Sequence, residues 1–387
     1  MTPKEYFSHK SLCPLPWVGV YINPDGMVKN CAISEESLGN LHSTPLEKIL
    51  IGPTNVSVKK DMLANIRHDR CGSCYRHEDN SQSYVKNSSN RSWYKKYGIK
   101  NINSTIYNDP VNFELRVLDL RWRNTCNLAC VYCGPDLSSK WASELNVQSY
   151  KIDEMVLDQH KQYIFGNLHK INHVYLAGGE PLLIKENLEL LNLLYDQNPD
   201  IEIRINTNLF QIDNDIFKKL ILFKNVKWTV SVDAIKDEFE YIRYPGQWKK
   251  FYSNLMYLKS QEFDINFNMV WFVLNSASIF DCIDLLQQSG FHENTFMIYC
   301  LEDPKPLSVR NLPANHLNKL KLILKQKFVN TDSSYWLHKS IDSMYNFIDD
   351  SYTDLSLEST FNFLNALDQR RRLDSKTVFP MLYNIKI

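Results

Sequence analysis

Residues 118–134 read LDLRWRNTCNLACVYCG, an apolar strand-like segment followed by three cysteines in a C-x3-C-x2-C pattern. These cysteines, Cys126, Cys130 and Cys133, form the cysteine trio of this chain. Three thiolates on one loop can bind three irons of a cubane [4Fe–4S] cluster, whereas cluster-binding motifs normally supply four thiolates. The missing fourth ligand predicts an iron left open for a small molecule, just as catalytic zinc sites keep one position free.

A structural zinc site is the alternative interpretation of the cysteine trio, because thiolates also bind zinc. Its fourth ligand would be His173 or a distant cysteine. Zinc sites favour paired C-x2–4-C units separated by a longer gap, not three cysteines on one loop. A second motif also favours the cluster: residues 174–181 read VYLAGGEP, and this strand-like segment contains the Gly-Gly-Glu motif of Gly178, Gly179 and Glu180.

Together the two motifs resemble those of the radical S-adenosylmethionine (radical SAM) superfamily, including Tyr132 just before the last cysteine. The resemblance implies that the trio holds the catalytic [4Fe–4S] cluster and that the Gly-Gly-Glu motif receives the amino group of S-adenosylmethionine. In that family the reduced cluster cleaves this cofactor to a 5′-deoxyadenosyl radical, which abstracts hydrogen from the substrate. The resemblance also implies a one-electron donor such as flavodoxin or ferredoxin.

Four further cysteines near the N-terminus, Cys13, Cys31, Cys71 and Cys74, are the N-terminal cysteines. The alternating segment between the first two has Asn-Pro-Asp-Gly at its centre and predicts a β-hairpin that makes them neighbours. The other two form a C-x2-C unit after a predicted helix over 56–66. On spacing alone, four thiolates from a hairpin and a short knuckle could also close a tetrahedral zinc site.

Gly26 lies five positions before Cys31, which resembles the G-x4-C element of the SPASM and twitch extensions of radical SAM enzymes. Those extensions carry auxiliary [4Fe–4S] clusters. The resemblance therefore implies a single auxiliary [4Fe–4S] cluster, of the twitch type, bound by the N-terminal cysteines. The extension usually follows the barrel in that family, whereas here it precedes the barrel.

From Leu115 onward, apolar strand-like segments alternate with helical ones, which predicts βα units. Six strands are predicted, over 115–120, 173–177, 201–206, 227–232, 265–274 and 295–300. The predicted fold class is α/β, with a partial (β/α)6 TIM-type barrel. The predicted domains are an N-terminal hairpin-plus-knuckle cluster domain over 1–80, a linker over 81–112, the barrel over 113–305 and a helical C-terminal region over 306–387.

Catalytic groups of barrels lie on loops at the C-terminal ends of strands. Polar residues at those positions are candidate cofactor-binding residues: Thr207, Asn208, Ser231, Asp233, Arg243 and Asn275. By the resemblance, Ser231 and Arg243 would meet the carboxylate or ribose of the cofactor, since a guanidinium binds carboxylates in a bidentate manner. Thr207, Asn208 and Asn275 would line the cofactor cleft. Ordinary strand-end hydrogen bonding is the alternative for each.

Two cysteines belong to neither group. Cys300 closes the sixth predicted strand and could face the barrel cavity, where a thiol could donate a hydrogen atom to a substrate radical, as in some peptide epimerases of the superfamily. Packing is the alternative for Cys300. Cys282 lies in a predicted helix and is expected to be a small buried hydrophobic residue.

The composition excludes several classes of protein. The 387 residues carry 44 Lys plus Arg and 44 Asp plus Glu, so no strong basic field for nucleic acid is present. Residues 1–10 contain no apolar signal segment, and no apolar run is long enough for a membrane span. Nine cysteines in such a chain favour metal or redox chemistry over disulfides. We therefore expect a cytoplasmic protein.

SPASM and twitch relatives mostly modify ribosomally made peptides by crosslinking, oxidation or epimerisation, and peptide modification is the predicted function. One alternative is the same chemistry on a small metabolite, such as an amino acid, a sugar or a nucleotide-linked compound. A second alternative is a non-enzymatic zinc-binding module that recruits partners. RNA modification is disfavoured because the charge balance is neutral.

Overall fold

The computed structural model describes residues 9–79, 91, 94, 104–149, 152–349 and 356–385. Much of the predicted linker over 81–112 lies outside the described residues. The strands are β1 (Gly19–Ile22), β2 (Met27–Lys29), β3 (Gly39–Asn40), β4 (Val117–Leu120), β5 (His173–Leu176), β6 (Glu202–Thr207), β7 (Val226–Ser231), β8 (Asp264–Trp271) and β9 (Phe296–Cys300).

Helices alternate with the later strands. They are α1 (Leu15–Val18), α2 (Leu46–Leu50), α3 (Pro53–Leu63), α4 (Gly72–Asp79), α5 (Ser139–Leu145), α6 (Glu154–Phe165), α7 (Lys185–Gln197), α8 (Asp215–Leu220), α9 (Lys236–Ile242), α10 (Trp248–Lys259), α11 (Ile279–Gln288), α12 (Ala314–Asn330), α13 (Trp336–Asp349), α14 (Leu357–Arg371), α15 (Ser375–Val378) and α16 (Pro380–Tyr383). None of the described helices is long and apolar enough to cross a membrane.

The chain divides into two units of dense internal contacts. The first comprises residues 1–125, 146–206 and 213–227, and the second comprises residues 126–145, 207–212 and 228–387. The first unit contains the N-terminal cysteines and the Gly-Gly-Glu motif. The second contains the cysteine trio and every strand-end candidate.

The sheet of the first unit follows the order β3-β2-β1-β4-β5-β6. The β1–β2 pair is the predicted hairpin, and Gly26 in its turn adopts a φ of +81°, a conformation that glycine adopts without strain. β1 also pairs in parallel with β4, which pairs in parallel with β5. The hairpin between the first two N-terminal cysteines is therefore part of the same sheet as the first barrel strand.

Local sequence explains the helices that cover these strands. The side chains of Asp153 and Asn214 accept hydrogen bonds from backbone N–H groups in the first turns of α6 and α8, as N-cap residues do. In α7, Leu190, Leu191 and Leu194 recur at helical spacing and are completely buried. Amphipathic helices thus bury one face of the sheet.

In the second unit, β8 pairs in parallel with β9, and α13 packs against β9 and α12. Buried and less buried residues alternate along β7 and β8, as expected for strands covered by helices on one face. α14 then follows and ends at Arg371.

The predicted fold class is confirmed: the six predicted barrel strands are present as β4 to β9, and helices occupy the C-terminal region. The prediction omitted β3, α6 and α9. It also omitted the pairing of β1 with β4, because a four-residue apolar strand does not reveal its partner. The predicted domain boundaries stay a prediction.

Candidate active site

The cysteine trio lies on the loop between β4 and α5, and backbone hydrogen bonds fold this loop. The N–H of Cys126 donates to Ser139 Oγ at 3.0 Å, and the N–H of Cys133 donates to the carbonyl of Cys130 at 2.9 Å. The N–H of Leu128 lies 3.5 Å from Cys126 Sγ. All three cysteines are free thiols, so the loop presents three possible ligands on an ordered backbone.

A second backbone segment supports the loop from the side. The N–H of Ala129 donates to the carbonyl of Tyr244 at 2.6 Å, and the N–H of Val131 donates to the carbonyl of Ile242 at 2.8 Å. Ile242 is the last residue of α9, and Tyr244 follows shortly after it. The central part of the loop is therefore held by a segment more than a hundred positions away in the sequence.

The surroundings of two thiols of the trio disfavour their ionisation. Burial raises the pKa of Cys130, while the guanidinium of Arg243 lowers it. Burial also raises the pKa of Cys133. A coordinating metal deprotonates a thiol outright, so half-buried thiols grouped on one loop fit a metal cluster.

Beside the trio, three buried side chains form a closed network. The hydroxyl of Tyr132 donates to Asp233 Oδ2 at 2.7 Å, and Arg243 Nη2 lies 2.8 Å from the same hydroxyl and 2.9 Å from the carboxylate. Asp233 Oδ1 also accepts the N–H of Val270 at 2.7 Å. Arg243 Nη1 lies 4.0 Å from Cys130 Sγ. The network fixes a positive charge next to the second cysteine.

The Gly-Gly-Glu motif forms a turn that only glycine can make here. Gly178 and Gly179 adopt φ of +80° and +49°, and a Cβ at the second would lie 2.2 Å from the carbonyl oxygen of Thr125. The N–H of Glu180 donates to that same carbonyl at 2.7 Å. The motif therefore packs on the backbone immediately before the first cysteine of the trio.

The N-terminal cysteines line a single cavity, together with Asn30 and Arg91. Burial, followed by the neighbouring thiols, raises the pKa of Cys13. The same causes raise the pKa of Cys31 to about 12, and burial and Cys74 raise that of Cys71 to about 12. The sequence prediction that the hairpin and the knuckle bring these thiols together is thus met in the structure.

The spacing of these side chains bears on the choice between zinc and a cluster. Among the described residues, no group of three or more His, Cys, Asp or Glu side chains could hold a single metal ion. Around one tetrahedral zinc, with Zn–S bonds near 2.3 Å, ligand sulfurs lie within about 4 Å of each other. In a cubane cluster each cysteine binds a different iron, so the sulfurs lie farther apart. The absence of such a group among the described residues is compatible with a cluster at either set of cysteines.

Two protein-family models match the segments that contain the two cysteine groups. The model of the radical SAM superfamily matches residues 122–303, and the model of the SPASM iron-sulfur cluster-binding domain matches residues 13–75. The chain belongs to the radical SAM superfamily. Its cofactors are S-adenosylmethionine and a [4Fe–4S] cluster, with an auxiliary iron–sulfur cluster in the SPASM domain.

Among curated proteins, this radical SAM enzyme is similar to GTP 3′,8-cyclases. The protein from Nautilia profundicola is 29% identical over 116 residues, which are 29% of this chain and 33% of that protein. The protein from Sulfurovum sp. is 27% identical over 113 residues, 29% of this chain and 32% of that protein. The chain thus spans about a third of the length of these curated relatives.

Two solved structures are also similar. Native anSMEcpe with bound AdoMet is 21% identical, covers 56% of this chain and 61% of that chain, and has a TM-score of 0.41. Streptococcus suis SuiB bound to S-adenosylmethionine is 13% identical, covers 80% of this chain and 69% of that chain, and has a TM-score of 0.40.

Of the strand-end candidates of this radical SAM enzyme, Asn208 comes nearest to the trio. Its Nδ2 donates to Asn127 Oδ1 at 2.9 Å and lies 3.9 Å from Cys126 Sγ. Thr207 instead uses its Oγ1 to accept the N–H of Leu209, which stabilises the turn after β6. The two neighbours therefore have different partners, and the amide of Asn208 contacts the cysteine loop.

Ser231 and Asn275 are two further strand-end candidates, and they differ in burial. Ser231 ends β7 and is half-buried. Asn275 is completely buried: its Oδ1 accepts the N–H of Phe272, and its Nδ2 donates to the carbonyls of Asp233 and Val270. The amide of Asn275 thus holds two backbone segments together, and its place in the cofactor cleft stays a prediction.

Arg243 is engaged by protein groups on one side of its guanidinium. Asp233 raises its pKa against the lowering effect of burial. Its Nε is buried and has no hydrogen-bond partner among the described residues. The contact of Arg243 with the cofactor carboxylate stays a prediction. The Nε–H is a donor that could make this contact.

Cys300 pairs in register with Trp271, which is completely buried, and its thiol bonds to Ser343 of α13. Burial raises the pKa of Cys300 to about 12. The thiol therefore contacts α13, and the hydrogen-donor role stays a prediction.

A cavity of about 460 Å³ adjoins the third cysteine of the trio, a volume within the usual range for ligand sites. Apolar side chains form much of its wall, and three charged side chains join them. Its main lining residues are Tyr132, Cys133, Asp136, Leu137, Trp141, Leu145, Asp303, Phe363, Leu367 and Arg370. No local sequence pattern predicts this cavity, because α14 contributes three of these residues from far along the chain.

Proposed function

We propose that the cysteine trio of this radical SAM enzyme holds the catalytic [4Fe–4S] cluster and that the enzyme modifies a peptide. The observation that carries the proposal is the loop itself, which presents three cysteines outside any disulfide on one hydrogen-bonded backbone segment. The N-terminal cysteines would hold the auxiliary cluster, because all four line one cavity.

When bound at the trio, the cluster and S-adenosylmethionine supply the radical that removes a hydrogen atom from the substrate. The Gly-Gly-Glu motif would receive the amino group of the cofactor, as the family resemblance implies. Asn208 and Arg243 flank Cys126 and Cys130, where they would orient the loop and exclude water from the sulfurs. A one-electron donor such as flavodoxin or ferredoxin is the expected partner.

The cavity beside Cys133 is the site where we expect the substrate side chain to bind. Leu137, Trp141 and Phe363 offer it an apolar surface. The charged lining groups are two carboxylates, Asp136 and Asp303, against one guanidinium. An apolar or basic peptide side chain suits this lining.

A small metabolite is the second candidate, because the curated relatives are GTP 3′,8-cyclases. A nucleoside triphosphate needs several cationic groups around its phosphates. The cavity provides Arg370 alone, and its Nη1 already lies 3.5 Å from Glu144. The charges of this cavity therefore favour the peptide.

The two substrate classes are separated by product analysis. The reconstituted enzyme is incubated without oxygen, in heavy water, with short peptides encoded beside its gene or with GTP, and all products are analysed by mass spectrometry. Deuterium in a peptide indicates epimerisation, and loss of two hydrogens indicates oxidation or crosslinking. Turnover of GTP with unchanged peptides would contradict the peptide proposal and support the metabolite.

A further inference from the structure

The C-terminal helix α14 lies beyond the residues that the radical SAM family model matches, yet it reaches into the cysteine loop. Its last residue, Arg371, has a side chain that is only 1% exposed. Arg371 Nη2 donates to the carbonyl of Ala129, between the first and second cysteines, at 2.8 Å. Its Nε lies 3.1 Å from both carboxylate oxygens of Glu144 on α5.

Aromatic rings complete the surroundings of this guanidinium. Its central carbon lies 4.5 Å from the ring centre of Trp141 and 4.8 Å from that of Tyr244. Both rings belong to residues that bind the loop: Trp141 Nε1 donates to the carbonyl of Cys130 at 2.8 Å, and the Tyr244 carbonyl accepts the N–H of Ala129. A planar guanidinium can stack and donate at the same time, which an ammonium cannot.

α14 itself is fixed, so Arg371 cannot easily withdraw. Asp368, one turn earlier, accepts the hydroxyl of Tyr241 at 2.7 Å. The other oxygen of Asp368 accepts the N–H and the hydroxyl of Ser375. The position of Arg371 is thus fixed by the hydrogen bonds that anchor α14 and by its own bond to the loop.

We propose that Arg371 is the positioning residue of the cysteine trio, and that the C-terminal helical region serves to place it. One side chain joins the loop, α5, the segment after α9 and α14. The inference rests on the proposed role of the trio as the catalytic cluster loop. Without Arg371, we expect the loop backbone to become more mobile and the trio to bind iron less tightly.

The test compares Arg371→Met with Arg372→Met, a matched control at the exposed neighbouring residue. Backbone hydrogen exchange of the metal-free protein is measured over 126–137 and, as an internal reference, over 226–231. Arg371→Met should speed exchange of the loop about 10-fold or more and leave the reference strand unchanged. The control should stay within about twofold of the unsubstituted protein. Normal loop exchange in Arg371→Met would overturn the proposal.

Iron binding is measured separately, in a Cys71→Ser/Cys74→Ser background so that only the trio is counted. Here Arg371→Met should lose more than half of its iron and change the electron paramagnetic resonance signal of the reduced protein. If the background protein itself binds no iron, the proposed function of the trio fails, while loop exchange still decides the role of Arg371.

Two further variants separate positioning from general damage. Arg371→Met removes the nearer cation from Glu144 and leaves it with Arg370 Nη1 at 3.5 Å. Weakening the pairing of a largely buried carboxylate is destabilising by itself. The double variant Arg371→Met/Glu144→Gln should still show a loosened loop, because the bond to Ala129 and the ring contacts remain lost. Full restoration by the double variant would overturn the proposal. Trp141→Phe, which removes one bond to Cys130, should loosen the loop with the fold intact, and unchanged exchange there would also count against it.

Discussion

The cysteine trio and the N-terminal cysteines differ in the charges that surround their buried thiols. At the N-terminal site, neighbouring thiols raise the pKa of Cys13 and Cys31 beyond the effect of burial. At the trio, the guanidiniums of Arg243 and Arg371 act on Cys130 in the opposite direction to burial. The difference is one of degree. Arg91 and Arg70 also lower the pKa of Cys71 at the four-thiol site, but a neighbouring thiol acts on it more strongly, whereas a guanidinium is the strongest charge acting on Cys130.

The two sites also share one arrangement. Arg91 donates to the carbonyl of Leu12, next to Cys13, at 3.2 Å and pairs with Glu78. Arg371 does the same with the carbonyl of Ala129 and with Glu144. In each case a largely buried arginine ties a cysteine segment to a carboxylate on a nearby helix.

The largest effect is expected at the trio. Cys130→Ala should abolish release of 5′-deoxyadenosine from S-adenosylmethionine in protein reconstituted without oxygen, because two thiolates cannot hold the open cluster. Cys282→Ala is the matched control, since that cysteine is buried outside both groups. Unchanged 5′-deoxyadenosine release from Cys130→Ala would refute the assignment of the loop.

Cys71→Ala/Cys74→Ala should affect the other site alone, because the two remaining thiols are too few to hold a cluster. Total iron should fall from about eight to about four per chain, as expected for the loss of one of two [4Fe–4S] clusters. Cofactor cleavage without substrate should continue, while product formation should stop if the auxiliary cluster takes part in turnover. An equal product yield would leave the N-terminal site a structural role only.

Gly179→Ala tests how closely the trio depends on its backbone support. The new Cβ would fall 2.2 Å from the carbonyl oxygen of Thr125, at a positive φ that disfavours side chains. We expect the free energy of unfolding to fall by about 3 kcal/mol, measured by denaturant titration. Gly134→Ala, on the cysteine loop and at an ordinary φ, is the comparison. Equal losses of unfolding free energy in the two variants would contradict the role assigned to Gly179.

The smallest effect should come from Arg91→Met. This residue ties the segment of Cys13 as Arg371 ties the trio, but four thiols share the metal there, so one loosened cysteine matters less. We expect iron at the N-terminal site to fall by less than half, measured in a Cys126→Ser/Cys130→Ser background. A complete loss would show that the two arginines are equivalent and would remove the contrast between the sites.

What the sequence predicted depended on local pattern. The trio, the Gly-Gly-Glu motif and the hairpin are each encoded within a few residues, and alternation located the barrel strands. The partner of β1, the contact of Arg371 with Ala129 across 242 positions, and the network of Tyr132, Asp233 and Arg243 are long-range and have no local signature.

The parallel pairing of β1 with β4 has a consequence for how this chain can be divided. Deleting the first 80 residues would strip the neighbour from β4 and leave a row of backbone N–H and C=O groups open along the barrel margin. Such unprotected margins recruit strands from other molecules. A barrel fragment prepared in this way should precipitate or self-associate. The N-terminal strands are therefore needed to keep the barrel monodisperse.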